Sequence, residues 1–229
     1  MTSALSNTRD SARKLAALWN GHQDKVASGE IAKIEGGGNI HVQESIDKDL
    51  RSEIETFLNA ATRCLKTGMQ NIARELGVNI GSLFQQKGSF EKGIAALQAT
   101  DPDLAAYLQQ TRIWSEPMLK SRIDLEHGTW VLPRTGYKAE EGAVKADEPT
   151  VAGKPVSEFV DFTFDRLCCF VEELSSHCLR RKMPSGVTLA EIPLANRVAE
   201  IPERFRIALE NGGQPSWRIA FHESRFEET

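Results

Sequence analysis

Two long segments of the chain repeat apolar residues at helical spacing. Between residues 44 and 76, and again between 155 and 181, apolar side chains recur every three or four positions. This spacing places them on one face of an α-helix. Phe162, Phe164 and Phe170 widen the apolar face of the second segment. We therefore expect the second helix to be central in a core or shared with a second subunit.

Weaker helical patterns occupy much of the remaining chain. They cover residues 8–19, 90–99, 102–113 and 116–127. Asp101 and Ser115 are candidate N-caps for the last two of these helices, and Pro117 suits the first turn of a new helix. Gly77 is expected to end the first long helix. The short links between helices predict antiparallel neighbours.

Three regions lack helical periodicity. Residues 30–42 contain three consecutive glycines, which fit either a small hairpin or a loop. The stretch 138–154 has no clear period, so we expect a mobile surface loop. Beyond Met183, period-two alternation on both sides of Asn-Gly-Gly predicts a β-hairpin, with Arg204 on the opposite face from Phe205.

These elements predict a mainly α fold, an antiparallel helical bundle with a small C-terminal β-hairpin. The bundle is expected to span residues 44–182, including the loop at 138–154. Residues 1–43 would form an N-terminal arm, and residues 183–229 would form a C-terminal extension that carries the hairpin.

Composition narrows the classes of function. The formal net charge of −4 excludes a broadly basic protein that coats nucleic acid, so any RNA contact must be local. The four cysteines form no C-x-x-C pair and are interpreted as reduced core thiols. The histidines have no metal-ligand spacing and no nucleotide-binding motif is present, so neither a metal nor a cofactor is expected. The N-terminus has no apolar signal core and no segment is long enough to span a membrane, which predicts a cytoplasmic location.

The most informative motif lies between Trp114 and Trp130, which are themselves expected to be core anchors. It contains Arg122 and, five positions later, His127. A guanidinium can bind a phosphate, and an imidazole can transfer a proton near neutral pH. Another interpretation is structural: Arg122 pairs with Glu126, and His127 is a helix C-terminal cation. Similarly, Glu172 and Glu173 on the second long helix are interpreted as a solvated face.

The sequence L-K-S-R-I-D-L-E-H-G-T-W resembles the Arg-x4-6-His helix end of HEPN-domain proteins, and the order of long and short helices is also similar. The resemblance covers roughly residues 44 to 182. It implies a helical bundle that dimerises, so that two copies of the motif face one cleft, and a metal-independent endoribonuclease activity. Arg122 would contact phosphate and His127 would transfer protons. Ile123 stands where active members commonly have a polar residue, with Asp124 and Glu126 as the nearest polar substitutes.

The resemblance therefore predicts a toxin- or defence-type endoribonuclease that works as a homodimer without a cofactor. RNA would be its substrate, and an antitoxin or an effector protein would be its partner. One alternative is a non-catalytic helical module that binds RNA or another protein, in which Ile123 marks an inactive site. A third possibility is a small-ligand-binding bundle, for which the sequence offers no specific residue.

Overall fold

The computed structural model describes residues 2–76, 87–198, 203–210 and 217–220. This part of the chain is mainly helical, which confirms the predicted class. Its α-helices are α1 (Thr2–Ala27), α2 (Asp47–Leu76), α3 (Lys87–Thr100), α4 (Pro102–Glu126) and α5 (Val156–Lys182). Its strands are β1 (Ala32–Ile34), β2 (Ile40–Val42), β3 (Gly136–Glu140), β4 (Ala143–Asp147), β5 (Thr150–Val151), β6 (Lys154–Pro155), β7 (Val187–Glu191), β8 (Glu203–Leu209) and β9 (Trp217–Ala220).

The chain forms two compact units, and each draws on two separate stretches of sequence. The first unit comprises Thr2–Cys64 and Ser115–Phe164, and the second comprises Leu65–Trp114 and Asp165–Thr229. Helices α2, α4 and α5 therefore contribute residues to both units. The candidate motif belongs to the first unit, whereas α3 and strands β7 to β9 belong to the second.

The first unit buries apolar residues from α1, α2, α4 and α5. The α2 residues Leu50, Ile54, Phe57 and Leu58 are fully buried, as the helical spacing predicts. Helix α1 is longer than the predicted 8–19, because buried side chains extend along it from Ala4 to Val26. Tertiary burial thus stabilises turns that lie beyond the strongest part of the pattern.

Small antiparallel hairpins complete the first unit. Residues 30–42 form the β1–β2 hairpin, which was one of the two alternatives. The expectation of a loop at 138–154 is wrong, since most of this stretch lies in β3–β4 and β5–β6. Glu141 and Gly142 both have positive φ in the two-residue turn that joins β3 to β4. Such turns suit the twist of hairpins. The sequence did not indicate this turn because glutamate replaces the usual asparagine or aspartate before glycine.

Helix α4 is one continuous element instead of the two predicted helices. Ser115 is buried inside this helix instead of standing at a helix start, and Pro117 also lies within the helix. Proline removes one backbone hydrogen bond, to the carbonyl of Ile113. The side chain of Ile113 is 65% exposed, so the bond is lost on a solvent-facing side where water can replace it.

The second unit places parts of four helices beside a three-stranded sheet. The strand order is β7-β8-β9 and both pairings are antiparallel. The β8–β9 pairing confirms the predicted hairpin, and β7 is an additional strand that the prediction lacked. The Asn-Gly-Gly turn and Gly77 lie outside the described residues. The buried core includes Leu97, Leu108, Leu167, Phe170 and Leu174.

The cysteines lie where the sequence suggested. Cys64, Cys168 and Cys169 are buried and Cys178 is partly buried, and none of the four takes part in a disulfide. Across the described residues, no helix is both long and apolar enough to cross a membrane.

Candidate functional site

Arg122 and Glu126 lie one helical turn apart near the C-terminal end of α4. Arg122 Nη2 is 2.7 Å from Glu126 Oε1, and the two side chains are 23% and 57% exposed. An exposed pair at this spacing contributes only about 0.3–0.5 kcal/mol, because water competes for both charges. Glu126 therefore holds the guanidinium weakly, and a phosphate oxygen can take the place of the carboxylate.

His127 is the last residue of the turn that closes α4. Its backbone N–H donates to the carbonyl of Ile123 at 3.0 Å, which completes the helical hydrogen bonding. Its side chain is exposed. Within the described part of the chain, the His127 imidazole has no hydrogen bond or ion pair, and none joins it to Arg122.

A Schellman motif fixes the backbone on both sides of His127. The carbonyl of Asp124 accepts the N–H of Thr129 at 2.9 Å, while the Gly128 N–H donates to the carbonyl of Leu125 at 3.1 Å. The Thr129 hydroxyl also donates to Asp124. These bonds satisfy carbonyl groups that a helix end leaves free. The residues Glu-His-Gly-Thr in this motif thus have a structural role, because they end the helix.

Replacing Gly128 by alanine is expected to destabilise this helix end by about 1 kcal/mol, because Gly128 has a φ of +68°. No atom lies within 4 Å of the position that a Cβ would occupy, so the cost is backbone strain alone. Urea denaturation measures the loss. Gly36→Ala is the control, since Gly36 has open space and no positive φ. Equal stability of the two variants would contradict the expectation.

The segment after the motif is anchored to α2. Trp130 is buried, as expected, and the Arg51 guanidinium lies 5.9 Å from the centre of its ring, whereas Trp114 is only partly buried. Asp47 Oδ1 accepts the backbone N–H of Thr135 at 2.9 Å. Burial opposes ionisation of Asp47, but the backbone hydrogen bond from Thr135, together with Ser45 and the positive charge of Arg134, lowers its pKa. The candidate site therefore sits on a well-supported chain segment.

A buried ion cluster in the second unit was not predicted. Arg204 is 8% exposed, and its guanidinium lies 2.9 Å from Glu173 Oε1 and 3.3 Å from Glu172 Oε2. The expectation of a solvated face is wrong for Glu172, which is buried. Arg204 and Phe205, which were expected on opposite faces of a half-buried strand, are both buried, so both faces of β8 are covered at this point. The sequence did contain one sign that Glu172 is buried: it lies one helical turn after Cys168 and Cys169, which were expected in the core.

Burial raises the pKa of Glu172 to about 8, and the nearby Arg204 only partly offsets this effect. Below about pH 8 the Glu172 carboxyl keeps its proton in the folded protein. In the unfolded chain the same carboxyl loses its proton above its ordinary pKa of 4.5. Stability due to Glu172 is thus greatest at low pH and falls as the pH rises through this window.

Glu172→Gln is therefore expected to flatten the decline of the melting temperature between pH 5 and pH 8. A glutamine keeps an acceptor for Arg204 but cannot ionise. Thermal denaturation across this pH range measures the effect, with the exposed Glu158→Gln on the same helix as the control for charge removal. A profile for Glu172→Gln that matches the wild type would contradict the assignment.

No protein-family model, curated protein or solved structure matches the chain. Among the described residues, no group of three or more His, Cys, Asp or Glu side chains is placed to hold a metal ion. The functional argument therefore rests on the residues of the chain itself.

Proposed function

We propose that this chain is a HEPN-like, metal-independent endoribonuclease of toxin or defence type that acts through Arg122 and His127. The observation that carries the proposal is the availability of both side chains at the end of α4. His127 is exposed, and the ion-pair partner of Arg122 is a glutamate that is 57% exposed. RNA can therefore reach His127 directly, and it reaches the 23% exposed side chain of Arg122 by displacing a carboxylate that lies at the surface.

The chemistry follows from the two side chains. An imidazole takes the proton of the RNA 2′-hydroxyl, whose oxygen attacks the adjacent phosphorus. The bond from phosphorus to the 5′-oxygen breaks, and that oxygen leaves with a proton from a second acid. The Arg122 guanidinium stabilises the negative charge on the phosphate during this exchange. The products are a 2′,3′-cyclic phosphate and a 5′-hydroxyl.

A homodimer supplies the second acid, because one imidazole cannot readily serve as base and acid in the same step. Two exposed apolar residues accompany the motif: Ile123 is 45% exposed and Val131 is 75% exposed. Burying them against a second copy of the chain would remove apolar surface from water and bring two histidines to one cleft.

A second candidate function is a non-catalytic module that binds RNA or a protein partner through the same helix end. The 2.7 Å contact between Arg122 and Glu126 favours this alternative, since it uses the guanidinium within the chain. The apolar Ile123 between the motif residues favours it as well.

The deciding experiment incubates the purified chain with mixed RNA in excess chelator and identifies the ends of any fragments. Fragments that end in 2′,3′-cyclic phosphate support the endoribonuclease. If a folded dimer binds RNA without cleaving it, the non-catalytic module replaces the proposal. If the activity appears only after a divalent metal is added, the proposed mechanism is wrong.

A further inference from the structure

The second unit contains a cavity of about 300 Å³ between α4, α5, β7 and β8. Its apolar walls come from Leu104 and Phe205, which are buried, and from Tyr107. The Tyr107 ring stacks on Phe170, with the two ring centres 6.3 Å apart and the planes nearly parallel. Sites for small molecules begin at about this volume and combine apolar walls with a few polar groups. The cavity therefore suits a ligand with one aromatic ring.

The two glutamates that line the cavity are neutralised by arginines. Arg204 Nη2 lies 2.9 Å from Glu173 Oε1. Arg197 Nη2 lies 3.0 Å from Glu191 Oε1, and Arg204 Nη2 lies 3.8 Å from the same oxygen. Both arginine side chains are only 8% exposed, so these counter-charges are held inside the protein. Neither carboxylate therefore needs a cationic ligand.

The other charged groups that line the cavity are balanced as well. His177 Nε2 lies 2.8 Å from Asp101 Oδ2, and Arg181 Nη1 lies 2.6 Å from the same oxygen. The remaining charged residues of the lining are Asp103 and Arg180, one of each sign, and both are exposed. An ion that entered the cavity would lose hydration without gaining an unused buried counter-charge. The lining therefore favours an uncharged ligand.

Ser176 supplies a polar group that is free to bind such a ligand. It lines the cavity and is 3% exposed, yet its hydroxyl oxygen has no hydrogen-bond partner. A buried hydroxyl without a partner costs free energy, and buried polar groups in native proteins are usually hydrogen-bonded. The hydroxyl can donate one hydrogen bond and accept others. A ligand atom that bonds to Ser176 would remove this cost.

Glu173 can take part in the same site without giving up its ion pair. It lies three positions before Ser176 on α5, so the two side chains share one face of the helix. Its carboxylate accepts hydrogen bonds from Arg204 and from the Tyr107 hydroxyl, and an ionised carboxylate has room for more. A hydroxyl group on the ligand could donate to Glu173 and accept from Ser176. A neutral group with both capacities fits this pair of residues.

We propose that this cavity binds a small uncharged aromatic molecule with a hydroxyl group, whose ring lies against Tyr107 and Phe205 and whose hydroxyl lies between Glu173 and Ser176. Pairs of aromatic rings add to the gain from burying apolar surface. The site is separate from the proposed RNA site, because all of its lining residues belong to the second unit. Its test is therefore independent of RNA cleavage.

The test is a calorimetric titration of the full chain with four probes of similar size. They are 2-phenylethanol, phenylacetonitrile, 2-phenylethylamine and phenylacetate. The alcohol is expected to bind roughly 5-fold more tightly than the nitrile, which accepts a hydrogen bond but cannot donate one to Glu173. The amine and the carboxylate are each expected to bind at least about 5-fold more weakly than the alcohol, because their charges lose hydration.

Two serine variants locate the site. Ser176→Ala is expected to weaken binding of 2-phenylethanol roughly 5-fold without lowering the melting temperature of the free protein, since it removes an unpaired hydroxyl. Ser175→Ala makes the same change on the same helix, at a partly exposed position outside the cavity lining, and should bind like the wild type. Equal affinity of the two variants for the alcohol, or no binding of it at millimolar concentration, would overturn the site. Tighter binding of the amine or the carboxylate would overturn the choice of an uncharged ligand, and equal binding of the nitrile would overturn the role of the hydroxyl.

Discussion

Arg122→Ala and His127→Ala are each expected to lower the rate of RNA cleavage by at least about 100-fold. His127→Ala removes the only group in the motif that can transfer a proton near neutral pH. Arg122→Ala removes the cation that stabilises the charge on the reacting phosphate. His127 is exposed, and the ion pair that Arg122 makes among the described residues is with the exposed Glu126, so neither substitution breaks a buried ion pair.

Matched controls separate chemistry from general changes in charge. Arg13→Ala and His41→Ala remove exposed residues of the same two types from other elements of the first unit, and both should cleave like the wild type. Glu126→Gln releases the Arg122 guanidinium from its ion pair and is expected to keep or increase RNA affinity. Wild-type cleavage rates in the Arg122→Ala and His127→Ala proteins would rule out the proposed site.

Mixing wild-type protein with inactive His127→Ala protein tests whether the cleft requires two histidines. If one histidine acts as base and its symmetry mate acts as acid, only wild-type homodimers cleave. Activity then falls with the square of the wild-type fraction. If a single protomer suffices, activity falls linearly instead. A linear result would remove the dimeric cleft from the mechanism. The roles of Arg122 and His127 would then be tested by the single variants.

The sequence predicted the helices well where a wide apolar face repeats over many turns. Helix α2 illustrates this, since its buried residues are those that the three- and four-residue spacing selected. The short β3–β4 hairpin was missed because its strands alternate only weakly and its turn uses Glu-Gly. Val144 is buried with Val26 and Ile31 in one cluster. That contact between distant segments, and not local propensity, places the hairpin.

The candidate sites show the same limit. Arg122, Glu126 and His127 could be located because they share one helix end and one local motif. The cluster of Arg204 with Glu172 and Glu173 could not, since Arg204 is more than 30 positions from both glutamates in sequence. Charged residues are seldom fully buried unless they are paired, so a lone sequence position gives no sign of the partner.

Arg204→Ala is expected to lower the free energy of unfolding by about 3–5 kcal/mol, the usual cost of removing one partner from a buried ion pair. Arg204 balances Glu173 directly and lies against Glu172; the contact with Glu172 is buried, and the contact with Glu173 is partly buried. Without the guanidinium, the Glu173 carboxylate loses its buried counter-charge. Denaturant unfolding measures the loss, and Arg181→Ala is the control because its pair with Asp101 is 48% exposed at the arginine.

The control should cost less than about 1 kcal/mol, as exposed ion pairs generally do. A double replacement, Arg204→Met with Glu173→Met, separates lost attraction from an uncompensated charge. Buried ion pairs are often no more stabilising than apolar side chains of similar volume. The double variant is therefore expected to recover much of the loss seen in Arg204→Ala. If Arg204→Ala instead costs no more than Arg181→Ala, the cluster stabilises the folded protein no more than a surface ion pair does. The carboxylates of Glu172 and Glu173 would then be hydrated or protonated without a counter-ion.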